Sequence, residues 1–419
     1  MDRKVVNVSH QTKSLFGTVE LTGSKSESNR ALIIRALSSG KVNVNNLSAA
    51  ADTVTLQQAL AAAQSTGTTY GTESIEIDVG PAGTAMRFLA AYLTTVNGNF
   101  LLTGSARMKQ RPIGILVDAL KALGADVAYA GEIGYPPLSI TGGSMQQNAE
   151  VTIQGNVSSQ YLSALLLIAP SLPQGLKLRI EGKLTSRPYL TMTLQMLAEV
   201  GISHEWVGDT IYLPPQNAAA STLTVEPDWS AASYWYAMVA LAEEANLFLP
   251  NLKSNSLQGD RAIVDIMAHF GVASSFENGG LRICKTASHS DKQLFDFTEC
   301  PDLAQTVIVC AAALRRNLSF TGLHTLRIKE TDRIAALQNE MEKFGVKLVE
   351  DGSVYHLQSE GLDLTATPHI ATYEDHRMAM AFAPLGLKFD HLTISEPAVV
   401  EKSYPDFWNH LKQAGFVLS

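Results

Sequence analysis

Positive side chains and hydroxyls recur where strongly apolar stretches of this chain begin. Lys25-Ser26-Glu27-Ser28-Asn29-Arg30 follows Gly23, Val79-Gly-Pro-Ala-Gly83-Thr84-Ala-Met-Arg87 joins a β-branched run to an apolar one, and Val157-Ser158-Ser159-Gln160 precedes Tyr161-Leu-Ser-Ala-Leu-Leu-Leu-Ile168. A lysine and hydroxyls at a helix start suit phosphate or carboxylate, because free backbone N–H groups and the helix dipole point the same way. The plain alternative is a capping serine beside a solvated lysine. Arg30 weighs against it, since an arginine inside an apolar run needs an anionic partner or costs several kcal/mol. Gly83 lets a ligand approach the backbone closely, although such turns are common. Three adjacent polar groups at Ser158-Ser159-Gln160 exceed what a cap requires.

Further clusters have the same character. Arg111-Pro112 places a cation at a start that proline fixes, a locally unfavourable position that a nearby anion explains; an exposed arginine there is the ordinary alternative. Ser186-Arg-Pro-Tyr189 repeats the pattern. Leu326-Arg-Ile-Lys329-Glu330-Thr-Asp-Arg333 is a charge run between a strand and a helix, where loops carry function, although most charge runs are solvated caps. Asp375-His376-Arg377 stands at the mouth of Met-Ala-Met-Ala-Phe-Ala, which is hard to explain as surface, and Glu401-Lys402-Ser-Tyr-Pro405 adds one more lysine. No histidine pair has metal-ligand spacing, and no serine-nucleophile or Walker loop is present.

The elements that must position these groups form a repeat. Six times an almost wholly apolar helix (29–37, 84–93, 160–168, 231–240, 303–312 and 376–383) precedes a charged, amphipathic one. The second helices end in Gly124, Gly201, Gly271, Gly345 and Gly415, and less cleanly in Gly67, roughly every 70 residues. Short alternating runs such as 74–79, 150–153, 176–180 and 392–394 predict strands with one buried face. Helices apolar all round must be buried on every side, so the economical arrangement puts them at the centre with amphipathic sheets outside. Six copies divide into two domains of three, with the boundary in the Pro-rich stretch 214–228 and a cleft between them as the expected small-molecule site. The strand around Lys4–Val8 could join either half.

Composition bounds the function. The 419 residues carry 46% hydrophobic and 17% charged side chains and a net charge of −8, which argues against nucleic acid or an anionic membrane as partner. Three cysteines without metal spacing, Cys284, Cys300 and Cys310, predict reduced core thiols and a cytoplasmic setting. The longest apolar stretch is broken by Glu243-Glu244, so no membrane span is expected.

Together, Gly23-Ser-Lys-Ser-x-Ser-Asn-Arg30, Gly83-Thr-Ala-Met-Arg87, Arg111-Pro112, Ser158-Ser-Gln160, Arg327-x-Lys-Glu-Thr-Asp-Arg333, Asp375-His-Arg-Met-Ala-Met380 and Glu401-Lys-Ser-Tyr-Pro405 closely resemble the 5-enolpyruvylshikimate-3-phosphate synthase family. The motifs follow that family's order across nearly the whole chain. The resemblance implies an α/β fold, a two-domain inside-out barrel with three βαβαββ-type repeats per domain. It places the domains at 18–227 and at 228–419 plus 1–17, with the active site in the interdomain cleft.

The resemblance also implies a cofactor-free cytoplasmic monomer, acting on two small polyanions. Such an enzyme moves the enolpyruvyl group of phosphoenolpyruvate to the 5-hydroxyl of shikimate 3-phosphate and releases phosphate. By resemblance Lys25, Ser26, Arg30, Ser158, Ser159, Gln160, Ser186, Asp302, Thr325 and Lys329 are shikimate-3-phosphate ligands. Lys25, Gly83, Arg111, Gln160, Arg333, His376, Arg377 and Lys402 form the phosphoenolpyruvate set. Asp302 is expected as the base for the 5-hydroxyl, Glu330 as the acid at the methylene carbon, and Lys25 as an aid to proton transfer. Three positions depart from the family: Pro81 stands for an asparagine, Phe88 for a proline, and Thr325 for an asparagine expected to meet the substrate phosphate. The sister transferase acting on UDP-N-acetylglucosamine carries a loop cysteine in its N-terminal domain, whereas every cysteine here lies after residue 283. A non-catalytic repeat scaffold would not set cations at buried helix starts, and an RNA-end-processing relative of the fold would need a basic face.

Overall fold

The computed structural model describes residues 4–64, 74–143, 146–287 and 290–419; Gly67 lies outside them. Among the described residues the helices pair as the apolar periodicity predicts. The apolar members are α1 (Lys25–Leu37), α3 (Gly83–Tyr92), α5 (Ser159–Ile168), α7 (Trp229–Leu241), α9 (Ala304–Ala313) and α11 (His376–Phe382). The amphipathic members are α2 (Ala51–Gln64), α4 (Gly114–Ala122), α6 (Arg187–Glu199), α8 (Ile263–Ala268), α10 (Arg333–Glu342) and α12 (Phe407–Gln413). All ten residues of α9 and all seven of α11 are buried, whereas α10 buries one stripe. Each buried leucine or isoleucine contributes roughly 1.5–3 kcal/mol, and these helices bury them on every side.

Every four-stranded sheet has the same order, first-second-fourth-third strand of its repeat, with the first pair parallel and the others antiparallel. One such repeat runs strand 75–78, α3, strand 98–103, α4 and the hairpin 126–129 with 138–142; the next runs strand 150–154, α5, strand 176–181, α6 and the hairpin 205–207 with 210–213. Strand 176–181 alternates buried and exposed residues throughout, as a sheet covering helices on one face requires. Gly124, Gly201, Gly271, Gly345 and Gly415 all have positive φ, the left-handed geometry a side chain resists.

The chain divides into two compact units, Gly23–Val225 and Met1–Thr22 with Glu226–Ser419. This shifts the expected boundaries, and register explains why. Strand 5–10 pairs antiparallel with 392–395 and 416–418, and strand 14–18 lies parallel to 244–250, so the N-terminus completes two repeats of the C-terminal unit. Conversely 221–224, inside the stretch read as a linker, is a strand parallel to 42–45 and opens the first repeat of the N-terminal unit. Ser-Thr-Leu-Thr carries one buried leucine, too short a pattern to stand out from its flanks. No described helix is long and apolar enough to cross a membrane, and the described residues hold no cluster of three metal-ligating side chains.

Candidate active site

In the N-terminal unit Lys25, Ser26, Gly83, Ser158, Ser159, Gln160 and Ser186 sit at helix starts. The Ser24 hydroxyl accepts from the Glu27 N–H at 3.4 Å, which makes Lys25 the first residue of α1 and Ser26 the second. Lys25 Nζ lies 3.1 Å from Asp52 Oδ2, a buried acid in the first turn of α2. Arg30 is buried one turn further on. Its Nε donates to Thr193 Oγ1 at 2.7 Å, Nη1 to the Ser26 carbonyl at 2.9 Å, and Nη2 to Ser163 Oγ at 2.9 Å and the Tyr189 carbonyl at 3.3 Å. Its guanidinium lies 5.4 Å from the Phe88 ring centre and 5.8 Å from that of Tyr189. Within the protein, these neutral oxygens and aromatic faces offset part of the desolvation. Burial lowers the Arg30 pKa to about 10, with Tyr189 and Glu27 opposing it.

Arg111 and Pro112 differ from expectation. The helix α4 begins at Gly114, so Pro112 precedes it rather than opening it. The Pro112 carbonyl instead accepts from Arg87 Nη2 at 2.9 Å and Tyr161 Oη at 2.5 Å, tying α3 to α5. Arg111 reaches a different helix: a Cβ built on Gly83 would lie 2.6 Å from its Nη1. Only glycine therefore lets this guanidinium rest on the first residue of α3. Arg111 Nε is buried and has no protein acceptor. Beside it, Gln160 Nε2 donates to Thr84 Oγ1 at 3.2 Å, and Ser158 caps α5 ahead of Ser159. Ser186 caps α6 at φ 56 without a side-chain cap bond. A left-handed non-glycine residue costs on the order of 1–3 kcal/mol and recurs at functional sites.

In the C-terminal unit the charged motifs form one cluster. Asp332 caps α10, accepting from Ile334 N and Ala335 N at 3.1 Å, and thereby sets Arg333 at the helix start. Arg333 is buried and reaches three carboxylates: Nε to Asp375 Oδ2 at 2.8 Å, Nη2 to Glu330 Oε2 at 2.9 Å and Nη1 to Asp302 Oδ1 at 3.2 Å. Arg377 Nη2 lies 2.9 Å from Asp302 Oδ2, and its Nη1 donates to the Asp302 carbonyl at 3.2 Å and to Tyr234 Oη at 3.3 Å. Lys402 Nζ is 3.1 Å from Glu330 Oε1, and Lys329 Nζ is 4.0 Å from Asp302 Oδ1. Four cations thus face three carboxylates, Asp302, Glu330 and Asp375, an excess of positive charge suited to an anion.

Burial alone would push the Asp302 carboxyl up, but Arg377, Lys329 and Arg333 together hold it well below the usual carboxylate range. Burial likewise opposes the Arg333 charge, and Asp375, Glu330 and Asp302 more than restore it. His376 is buried, its Nδ1 3.7 Å from Asp375 Oδ1, too far for a hydrogen bond. Thr325 Oγ1 is buried without a partner, an orphaned hydroxyl of the kind a ligand satisfies.

Sequence reasoning did not single out Asp52, Ser230 or Asp260, and it took Asp375 only within the Asp375-His376-Arg377 motif, with no ligand or catalytic role. Asp375 carried a visible signal, an acid just before an apolar helix, where it accepts from Arg377 N at 2.8 Å. Asp52 and Asp260 sit in ordinary amphipathic surroundings and give none. Ser230 donates to Asp260 and accepts from Arg377 Nη2 at 3.3 Å. Burial and the neighbouring Asp302 raise the Asp260 pKa to about 7, against Arg377. The three cysteines are free, with Cys300 and Cys310 buried.

Comparisons with known proteins bear on the family and the fold. The family model for EPSP synthase (3-phosphoshikimate 1-carboxyvinyltransferase) matches residues 9–411. A 3-phosphoshikimate 1-carboxyvinyltransferase of Bacteroides fragilis (strain YCH46) is 47% identical over 401 residues, covering 95% of each chain. One from Aliivibrio salmonicida (strain LFI1238) is 36% identical over 427 aligned residues, covering 95% of this chain and 96% of its own. Among solved structures, an EPSP synthase from Acinetobacter baumannii superposes with a TM-score of 0.77 at 22% identity over the full length of both chains. The enolpyruvyl transferase NikO from Streptomyces tendae gives 0.71 at 16% identity, covering 99% of this chain and 98% of its own. At such identities the structural likeness speaks for the fold, and the sequence relatives for the family.

Proposed function

The chain belongs to the EPSP synthase family, and we propose that it transfers the enolpyruvyl group of phosphoenolpyruvate to the 5-hydroxyl of shikimate 3-phosphate, releasing phosphate. The observation that carries this reading is the cation cluster around Asp302 and Glu330: two buried arginines at helix starts, two lysines and two carboxylates on one unit. Both substrates are small polyanions, and paired N–H groups of arginine suit phosphate and carboxylate, whereas lysine acts as a point charge.

In this reading Arg111, Arg333, Arg377 and Lys402, with Lys25, Gly83, Gln160 and His376, hold phosphoenolpyruvate. Ser26, Arg30, Ser158, Ser159, Ser186, Thr325 and Lys329 hold shikimate 3-phosphate. The 5-hydroxyl oxygen bonds to C2 of phosphoenolpyruvate as its proton passes to Asp302, while Glu330 delivers a proton to the methylene carbon. The tetrahedral intermediate then returns a methyl proton to Glu330, and its C2–O bond to phosphate breaks as Asp302 passes the hydroxyl proton to the departing phosphate. Lys25 stabilises the developing charge. Three cations make Asp302 a weak base in the substrate-free protein; substrate anions that neutralise Arg333, Arg377 and Lys329 release it. Binding therefore prepares the base. The reading also takes the protein as a cytoplasmic monomer.

Phosphate release is the direct test. One phosphate per product forms only when phosphoenolpyruvate and shikimate 3-phosphate are both present. Release with UDP-N-acetylglucosamine in place of shikimate 3-phosphate would point to the sister reaction, which the family match and the names of the relatives do not favour.

A further inference from the structure

Arg333 opens α10, and Glu340 stands seven residues later on the same helix. Two turns separate them, so they share one helical face about 10 Å apart. That face lies along the segment entering α11. At one end Arg333 Nε donates to Asp375 Oδ2 at 2.8 Å; at the other, Glu340 accepts from Ala371 N at 2.9 Å and from Tyr373 Oη at 2.7 Å. Lys343 pairs with the Glu340 carboxylate and donates to the His369 carbonyl at 2.7 Å. Glu340 is itself 1% exposed, a carboxylate taken out of solvent to face a backbone loop.

The loop it holds is unusual. Tyr373 and Glu374 have φ of 54° and 56°, two consecutive left-handed non-glycine residues immediately before Asp375, His376 and Arg377. Each such residue is unfavourable by itself and persists only when its surroundings fix it. Thr372 Oγ1 donates to Glu396 Oε2 at 3.1 Å, and Glu396 precedes the short helix Pro397–Lys402, which ends in Lys402.

We propose that Glu340 is a positioning residue for anion binding: it pins the 371–374 turn against α10 and so keeps Asp375 and Arg377 in register with Arg333. Glu396 extends the brace to the element carrying Lys402. The inference rests on the reading of Arg333, Arg377 and Lys402 as phosphoenolpyruvate ligands.

Steady-state kinetics with each substrate varied separately test it in the full chain. Glu340→Gln keeps the shape but turns an amide N–H toward the donors Ala371 N and Tyr373 Oη. It raises KM for phosphoenolpyruvate about tenfold and leaves KM for shikimate 3-phosphate within about twofold. Tyr373→Phe removes one hydrogen bond and gives a smaller rise in the same direction, and it carries the test should Glu340→Gln fail to fold. Adding Glu374→Asn, a residue that tolerates the left-handed region, recovers part of the phosphoenolpyruvate affinity in the Glu340→Gln background. Equal changes in both KM values, activity lost only in proportion to folded protein, or no recovery with Glu374→Asn would each overturn the proposal. The unsubstituted chain is the control: without saturable dependence on phosphoenolpyruvate there, the reading of the site fails rather than the brace.

Discussion

The residues of the C-terminal cluster carry charge in opposite senses, and pH separates them. Asp302 is held ionised by Arg377, Lys329 and Arg333 against burial, so it remains a carboxylate throughout the neutral range. Asp302→Asn removes the proposed proton acceptor and lowers kcat by about 10²–10⁴-fold at saturating substrates; near-normal turnover would remove Asp302 from that role. Asp260 behaves oppositely, raised to about 7 by burial and Asp302. Its folded value exceeds its unfolded one, so the folded state keeps a proton that the unfolded chain releases. Stability from this group is complete below about pH 4 and is lost as pH rises toward 7. Asp260→Asn does not titrate. Its melting temperature relative to the parent therefore rises between pH 5 and pH 8, and a pH-independent difference would contradict the assignment. Much of this residue-level picture was legible in the sequence: Lys25, Arg333 and Arg377 are first or second residues of helices, as the motifs suggested. The partners were not. Asp52 meets Lys25 and Ser230 links Arg377 to Asp260 through tertiary contacts with no local pattern.

Elements carry information through period and punctuation. The six apolar helices stand out because burial on all sides removes polar residues from every face, and the five turn glycines because each needs a positive φ. Gly345 shows how strict that is. At φ 80°, an added Cβ would also lie 2.1 Å from the Gly361 carbonyl oxygen, which as backbone cannot move aside. Gly345→Ala should cost more than about 1 kcal/mol and lower the melting temperature. Gly83→Ala has another outcome, because the atom in the way is the tip of the flexible Arg111 side chain. The fold survives, Arg111 shifts, and KM for phosphoenolpyruvate rises about tenfold while the melting temperature changes little; an unchanged KM would place Arg111 outside the site. What the sequence misled on at this scale was Pro112. A proline after an arginine reads as a helix start, yet here its carbonyl serves Arg87 and Tyr161, a role that proline's missing N–H does not affect.

For the whole molecule, strand exchange sets the boundaries. Strands 5–10 and 14–18 belong to C-terminal repeats and 221–224 to an N-terminal one, so the chain passes between units only at 22–23 and 225–226. Composition near 214–228 located the second crossing roughly but hid the strand within it, because four residues give too short a period to recognise. Asp228 N donates to the Thr22 carbonyl at 3.0 Å, so the two strands of chain leaving the C-terminal unit lie side by side. Joining Thr22 directly to Glu226 should therefore yield a folded C-terminal unit with a cooperative thermal transition; a molten product without near-ultraviolet circular dichroism would contradict the division. The central claim is that Lys25, Arg333, Arg377 and Lys402 hold phosphoenolpyruvate beside shikimate 3-phosphate. Calorimetric titration of phosphoenolpyruvate in the presence of shikimate 3-phosphate tests it most directly, using Lys25→Met and Arg377→Gln. Each substitution alone should weaken phosphoenolpyruvate binding at least about tenfold, whereas undiminished binding in either variant would contradict the account.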